Sequence, residues 1–546
     1  MTSTSTNGGG ALPPQKFLPY AAILTLAANT MNGPGITTLP DVAVDAGLFL
    51  YVILITGSVA MASYVCRRMV FAMWSSLKSY GKAADTELGT YHDVVEPNLT
   101  KGGSEEDSLL LHNGNPNLNG VGDNSVAYPQ PKLETTSIVG QSVEAYGKKA
   151  GVYAALTMVA SALCLALAQM MLCAAILDGM LVSTTGQSCA LGLPTSSTSS
   201  WIHCTSHSSM KPYAGSGAPT SLISVGTVIA AVFSVGMGTV DLDEMMGVQY
   251  SLFACLIISC VRFAYVLRKM SLGLSDEGEM MDMTAAATEE GSVGGEEEES
   301  LSWFVGPNPF STIGPIMFNF AFVVTAPPLV SLAKKESIAY KALGMACVAM
   351  GVLYTMVGCV GAPVANAVRN GLIEGGDDTN LLSLILLSGN VEGGADGRPS
   401  MIDLFCIGTF GLSTVASVPV YCLLAKDTLV NDAGVARMPA FLLSNVLPWL
   451  LVALTYNAAF FEAFVNWSGL LILGYSNFSL PLLLDVKLKK VRSLLGEEGS
   501  ITSVVFSFLT ASISAVIAIS ITNSLAIAGL LFGAVMIASM WPSQRN

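Results

Sequence analysis

The sequence is poor in charge. Only 12% of its 546 residues are Asp, Glu, Lys or Arg, against roughly 25% in an ordinary soluble domain. A soluble enzyme and a disordered regulator are excluded on that ground. The balance that remains is acidic, with a net charge of −14. Such a chain repels phosphate backbones and excludes a nucleic-acid partner. Histidine is scarce too: His92, His112, His203 and His207 are the full set, and all lie outside the apolar runs. Within those runs carboxylates are nearly missing. Asp403 stands at the entrance of one run and Asp178 near the exit of another. Arg262 and Lys341 are the basic residues inside runs. Intramembrane charge marks proton relays and ion paths. Its scarcity excludes a pump built on a buried acid relay, so an ion held at mid-membrane would need neutral oxygens. No Walker loop, dinucleotide fingerprint or catalytic triad order is visible. The chain is not read as an enzyme, and no cofactor is expected.

What is abundant is apolar. These residues make up 52% of the chain, and mean hydropathy is +0.58. A membrane-spanning helix needs about 20 mostly apolar residues. Such runs occur near 17–39, 47–66, 151–177, 219–237, 248–267, 311–333, 338–360, 401–424, 438–459 and 464–484. A last stretch, 501–540, holds one generous span, or two if Ile519–Ser524 turns between them. Eleven spans are expected, with a twelfth on the second reading. Residues 1–16 are polar and read as a disordered cytoplasmic N-terminus, and the first run lacks a clear cleavage site, so it reads as a span rather than a leader. With the N-terminus inside, the inside segments hold 18 Lys and Arg and the outside segments 6, which fits the positive-inside rule.

Three loops stand apart. The insert 74–150 would be cytoplasmic, with a Gly/Asn-rich disordered middle around Asn113–Asn124 and an amphipathic helix over Ile138–Lys149. The outside loop 182–218 is Ser/Thr-rich and holds Cys189 and Cys204. A bridge between them suits an oxidising compartment; His203 and His207 beside Cys204 leave a metal site as the lesser reading. The third loop lies within 268–310. Its stretch 271–302 carries ten acidic residues, including Glu296–Glu299, and reads as a solvated insert or a cation-attracting tether.

The first run is interrupted by Asn32-Gly33-Pro34-Gly35-Ile36. Pro34 lacks an N–H and clashes with the turn before it. The helix should unwind there, leaving free carbonyls on the inner half and free N–H groups on the outer half. The sixth run is interrupted at Pro327-Pro328, where proline ends one helix and opens the next. Paired breaks in two halves of a chain point to a transporter binding site.

These residues resemble the amino acid/auxin permease family, which includes sodium-coupled neutral and proton-coupled amino acid transporters. Asn29-x-x-x-Gly33-x-Gly35-Ile36-x-x-Leu39-Pro40, followed by Ala46-Gly47, looks like its first-span signature. Phe318-x-Phe320 with Pro328 resembles its sixth span, Ser417-Val418-Pro419-Val420 its eighth, and Gly469 through Leu484 its tenth. Pro34 departs from the small residue common there, and no His follows the Phe-x-Phe pair. The resemblance implies an all-α polytopic membrane protein, an inverted five-plus-five helix repeat with discontinuous first and sixth spans. Its halves would be 17–267 and 311–484, with 485–546 peripheral.

It also implies a secondary active transporter, a symporter of neutral amino acids working by alternating access. The substrate carboxylate would meet N–H groups at Gly33, Gly35 and Ile36. Its ammonium would meet carbonyls near Asn29 and Thr30 and along the sixth-span break, from Asn319 through Ala321 and Phe322 to Thr325. Asn29, Ser413 and Ser417 would form a sodium site, with a proton (H+) as the alternative to Na+. The partners expected are the amino acid and the lipid bilayer, in a plasma or vacuolar/lysosomal membrane. A non-transporting amino acid sensor, or an organic acid or hormone permease on the same fold, are the competing readings.

Overall fold

The computed structural model describes residues 18–95, 138–192, 201–205, 213, 222–237, 242–285, 301–331, 333–373, 379–391, 399–456, 464–465 and 467–493. Among them, seven helices are long and apolar enough to cross a membrane: Leu48–Trp74, Lys148–Thr185, Met246–Gly273, Ile313–Ser331, Glu336–Arg369, Met401–Asp432 and Arg437–Leu454. Shorter apolar helices cover Tyr20–Met31, Val225–Met237 and Leu471–Asp485. In chain order these ten coincide with the first ten apolar runs, and they are called the first to tenth spans below. The chain is a mostly helical, multi-pass integral membrane protein. The run 501–540, the stretch Asn113–Asn124, Glu296–Glu299, His112 and His207 lie outside the described residues.

Burial sorts the spans into core and periphery. The third span, Lys148–Thr185, is 78% buried in its most apolar window. A helix that is apolar all round belongs in the interior. It packs on the fourth span and on both parts of the eighth. The second span, Leu48–Trp74, is only 28% buried and turns Phe49 and Ile53 outward. The first span packs on the seventh, and the fifth on the eighth. These contacts gather the first, third, fifth, seventh and eighth spans around one polar interior.

Several boundaries differ from the sequence reading. The first span continues past residue 39 as a helix over Leu39–Ala46. It stops at Gly47, whose φ of 82° is left-handed and costs a glycine little. The acidic loop does not begin at 268: the fifth-span helix runs Leu242–Ala285, through sequence rich in Met, Leu and Glu beyond 268 and without proline, which favours helix. The segment between the seventh and eighth spans is not plain loop in its described part. It holds the helix Leu381–Val391, too short to span but with Leu381, Leu382, Leu384 and Ile385 buried.

The described part of the loop between the third and fourth spans carries strands. It forms an antiparallel sheet of β1 (Ser188–Gly192), β2 (Ile202–Thr205) and β3 (Leu222–Ser224), in the order β2-β1-β3. The register sets Cys189 opposite Cys204, and the two are joined as a disulfide. Among the described residues no group of three His, Cys, Asp or Glu could hold a metal ion.

Candidate functional site

The first span is broken where the sequence places Gly33 and Pro34. The inner half, Tyr20–Met31, ends at Asn32 (φ −68°, ψ 73°). Gly33 is extended, and Pro34–Thr38 makes one tight turn before the outer half resumes at Leu39. The sixth span breaks at Phe320–Phe322, between the helix Ile313–Asn319 and a short turn, Val323–Thr325. Its inner part, Ala326–Ser331, opens on Pro327 and Pro328, which have no N–H to orphan. The eighth span is also interrupted: Met401–Val415 and Val418–Asp427 are separated at Ala416–Ser417, just before Pro419.

The two main breaks touch through a glycine. A Cβ on Gly35 would lie 2.4 Å from Asn319 Oδ1, so the Asn319 amide lies against the Gly35 backbone. Asn319 is 1% exposed, and both its Oδ1 and its Nδ2 lack a hydrogen-bond partner. Asn29 Oδ1 and Asn32 Oδ1 are likewise buried and unpartnered. Ala321, Phe322 and Thr325 line the same break and are buried. The Thr325 hydroxyl donates to the Phe322 carbonyl at 2.6 Å.

Many of the backbone groups freed by the first break are taken. The Gly33 N–H donates to the Met31 carbonyl at 2.7 Å, and the Ile36 N–H to the Gly33 carbonyl at 3.2 Å. The Tyr421 hydroxyl donates to the Thr30 carbonyl, the Tyr354 hydroxyl to the Met31 carbonyl, and Gln169 Nε2 to the Asn32 carbonyl at 3.4 Å. The inner carbonyls are therefore capped by two phenols and an amide. At the sixth break the Val324 N–H donates to Asn477 Oδ1 at 3.0 Å, so the tenth span caps that turn.

The three residues read as a sodium site are buried in one polar network but do not meet as a triad. Asn29 Nδ2 donates to Gln249 Oε1 at 2.6 Å, and Gln249 Nε2 donates to the Ala416 carbonyl at 2.9 Å. Ser413 Oγ accepts from Asn32 Nδ2 at 3.0 Å. Ser417 Oγ bonds to Gln169 Oε1 and the Thr414 carbonyl. Two glutamines thus bridge the first-span break to the eighth-span break. Gln169, Gln249, Tyr354, Tyr421 and Asn477 were missed in the sequence. The amides were legible as polar outliers within apolar runs; for the tyrosines no local signal exists.

The ion pairs lie away from the breaks. Arg369 bonds to Asp41 and to Asp45, the latter at 2.7 Å, and Arg262 pairs with Asp403 at 2.8 Å. Asp178 is buried and accepts from the Gly226 N–H, Ser188 and Tyr456. Arg68 pairs with Asp485 at 3.0 Å. Tyr213 belongs to the loop between the third and fourth spans, where burial pushes its phenol up to about 12.

No protein-family model and no curated protein matches the chain. Among solved structures it is similar to a manganese transporter of Eremococcus coleocola in complex with an aromatic bis-isothiourea substituted compound, at 12% identity and a TM-score of 0.49, over 98% of this chain and 95% of that one. A substituted form of the same transporter is similar at 12% identity and a TM-score of 0.48, over 97% and 94%. At such identity and superposition these likenesses assign neither a family nor a substrate to this chain.

Proposed function

We propose that the chain is a secondary transporter that carries neutral amino acids by alternating access. The observation that supports this most is the juxtaposition of the two breaks around unpartnered amides. A buried polar atom without a partner costs about 1–3 kcal/mol. Asn319, Asn29 and Asn32 leave four such atoms in one region. A ligand that supplies both donors and acceptors would satisfy them. An amino acid's ammonium donates to Asn29 Oδ1 and Asn32 Oδ1. Its carboxylate accepts from Asn319 Nδ2 and lies toward Gly35, at the start of an outer helix whose dipole favours an anion. The groups meeting at the breaks are amides, hydroxyls, phenols and backbone, all neutral near pH 7. They offer no counter-ion to a charged substrate side chain, so a zwitterion with a neutral side chain fits. The family resemblance of the first-span motif points the same way.

Sodium is the favoured coupling ion, with the proton as its alternative. A sodium ion at Ser413 and Ser417 would displace the Asn32 amide N–H from the Ser413 hydroxyl, whereas Ser417, which donates to Gln169 Oε1, has lone pairs to offer the ion. Because Asn32 sits at the first break, ion binding would then alter the substrate site. The test is uptake of labelled neutral amino acids by proteoliposomes under imposed sodium or proton gradients. Uptake above protein-free vesicles is expected, larger with sodium. Saturable binding without uptake would make the chain a sensor instead.

A further inference from the structure

The segment leading into the sixth span presents apolar side chains outward on a fixed backbone. Trp303 is 71% exposed, Phe304 72% and Phe310 78%, with Val305 exposed between them. A loose loop could fold such residues away; this one is clamped. The Leu48 N–H donates to the Ser302 carbonyl and the Phe49 N–H to the Trp303 carbonyl, at 3.3 and 2.9 Å. The Gly306 N–H donates to the Ala46 carbonyl and the Asn308 N–H to the Asp45 carbonyl, at 2.8 and 3.0 Å. The fit is close enough that a Cβ on Gly306 would lie 2.3 Å from the Val44 carbonyl oxygen. The clamp holds the segment at Gly47, where the first span ends and the second begins.

The exposed rings are continuous with a lipid-facing surface. Phe304 meets Phe49 edge to face, with centroids 6.0 Å apart. Phe49 and Ile53 begin the outward stripe of the second span. The aromatic group therefore lies level with the outer end of a membrane-crossing helix. Tryptophan prefers that depth, with its ring among acyl chains and its N–H toward headgroups. The preceding stretch 271–302 is acidic, which favours a zwitterionic over an anionic headgroup layer.

We propose that Trp303, Phe304, Val305 and Phe310 insert into the interfacial layer of the outer, zwitterionic leaflet and anchor the entry of the sixth span there. The anchor fixes the outer end of a broken helix against lipid, so that rearrangement at the break is not lost by drift of its outer end. The inference stands apart from the transport reading, and so does its test.

The protein is reconstituted in phosphatidylcholine nanodiscs whose lipids carry bromine either near the glycerol end or near the end of the acyl chain. The Trp303 emission is taken as wild type minus Trp303→Phe. It should be blue-shifted, quenched more by the shallow bromines than by the deep ones, and little affected by aqueous iodide. A red-shifted component quenched by iodide and untouched by bromine would overturn the proposal. So would a component shielded from both, which would mean that protein covers the segment. If Trp303→Phe does not fold, Phe310→Trp adds a reporter at the same depth, and its added emission must show the same pattern.

Discussion

An asparagine amide buried without partners gives up its hydrogen bonds to water and gains none, which is hard to account for in a structure that has no use for it. Asn319 does this at both ends of its amide, directly against Gly35. If the amide serves a substrate, removing it should separate activity from stability. Asn319→Leu is expected to lower uptake at least about tenfold, the equivalent of losing about 1.4 kcal/mol, while the thermal midpoint in detergent holds or rises. An equal fall in both would make Asn319 a structural residue. Gly35 answers to a different constraint, since any side chain there strikes Asn319. Gly35→Leu should abolish uptake while the protein still reaches the membrane, as surface labelling or fractionation would show. Normal uptake by that variant would move the site elsewhere.

Gly33-Pro34-Gly35 and Pro327-Pro328 made the broken elements legible, because proline and glycine act through the local backbone. The groups that cap the breaks act at long range and were not legible. Tyr354 and Tyr421 reach carbonyls 323 and 391 residues away in sequence, and nothing around a tyrosine in an apolar run says which carbonyl it will find. Gln169 and Gln249 are legible as amides within apolar runs, but no motif marks either of them. The expected free N–H groups and carbonyls of the first break were derived from an isolated helix end, whereas the folded chain bonds many of them locally or to neighbouring spans. The helix Leu381–Val391 was missed because its apolar run is shorter than a span. The caps carry their own prediction. Tyr354→Phe removes one of the two donors to the Met31 carbonyl, leaving the Gly33 N–H, and should destabilise the protein by about 0.5–1.5 kcal/mol, seen as a lower thermal midpoint. Asn29→Ala and Gln249→Leu share one hydrogen bond, so their effects on that midpoint should be less than additive.

At the scale of the molecule, among the described residues, the ion pairs lie away from the breaks and neutral polar groups lie at them. Arg369 ties the seventh span to the outer half of the first, Arg262 ties the fifth to the eighth, and Arg68 ties the second to the tenth. The three-stranded sheet is held by Cys189–Cys204 across 15 residues. Opening it with Cys189→Ser should cost roughly 3 kcal/mol by loop-closure entropy, and peptide mapping without reductant should recover the linked pair from wild type. The most direct test of the central claim, that the paired breaks form a neutral site for a zwitterion, is uptake by proteoliposomes holding wild type or Asn319→Leu. Labelled neutral, acidic and basic amino acids are offered in turn under a sodium gradient. The account predicts that wild type accumulates the neutral ones well above the charged ones and that Asn319→Leu loses this uptake. Equal accumulation by both proteins, or preferential accumulation of a charged amino acid, would contradict it.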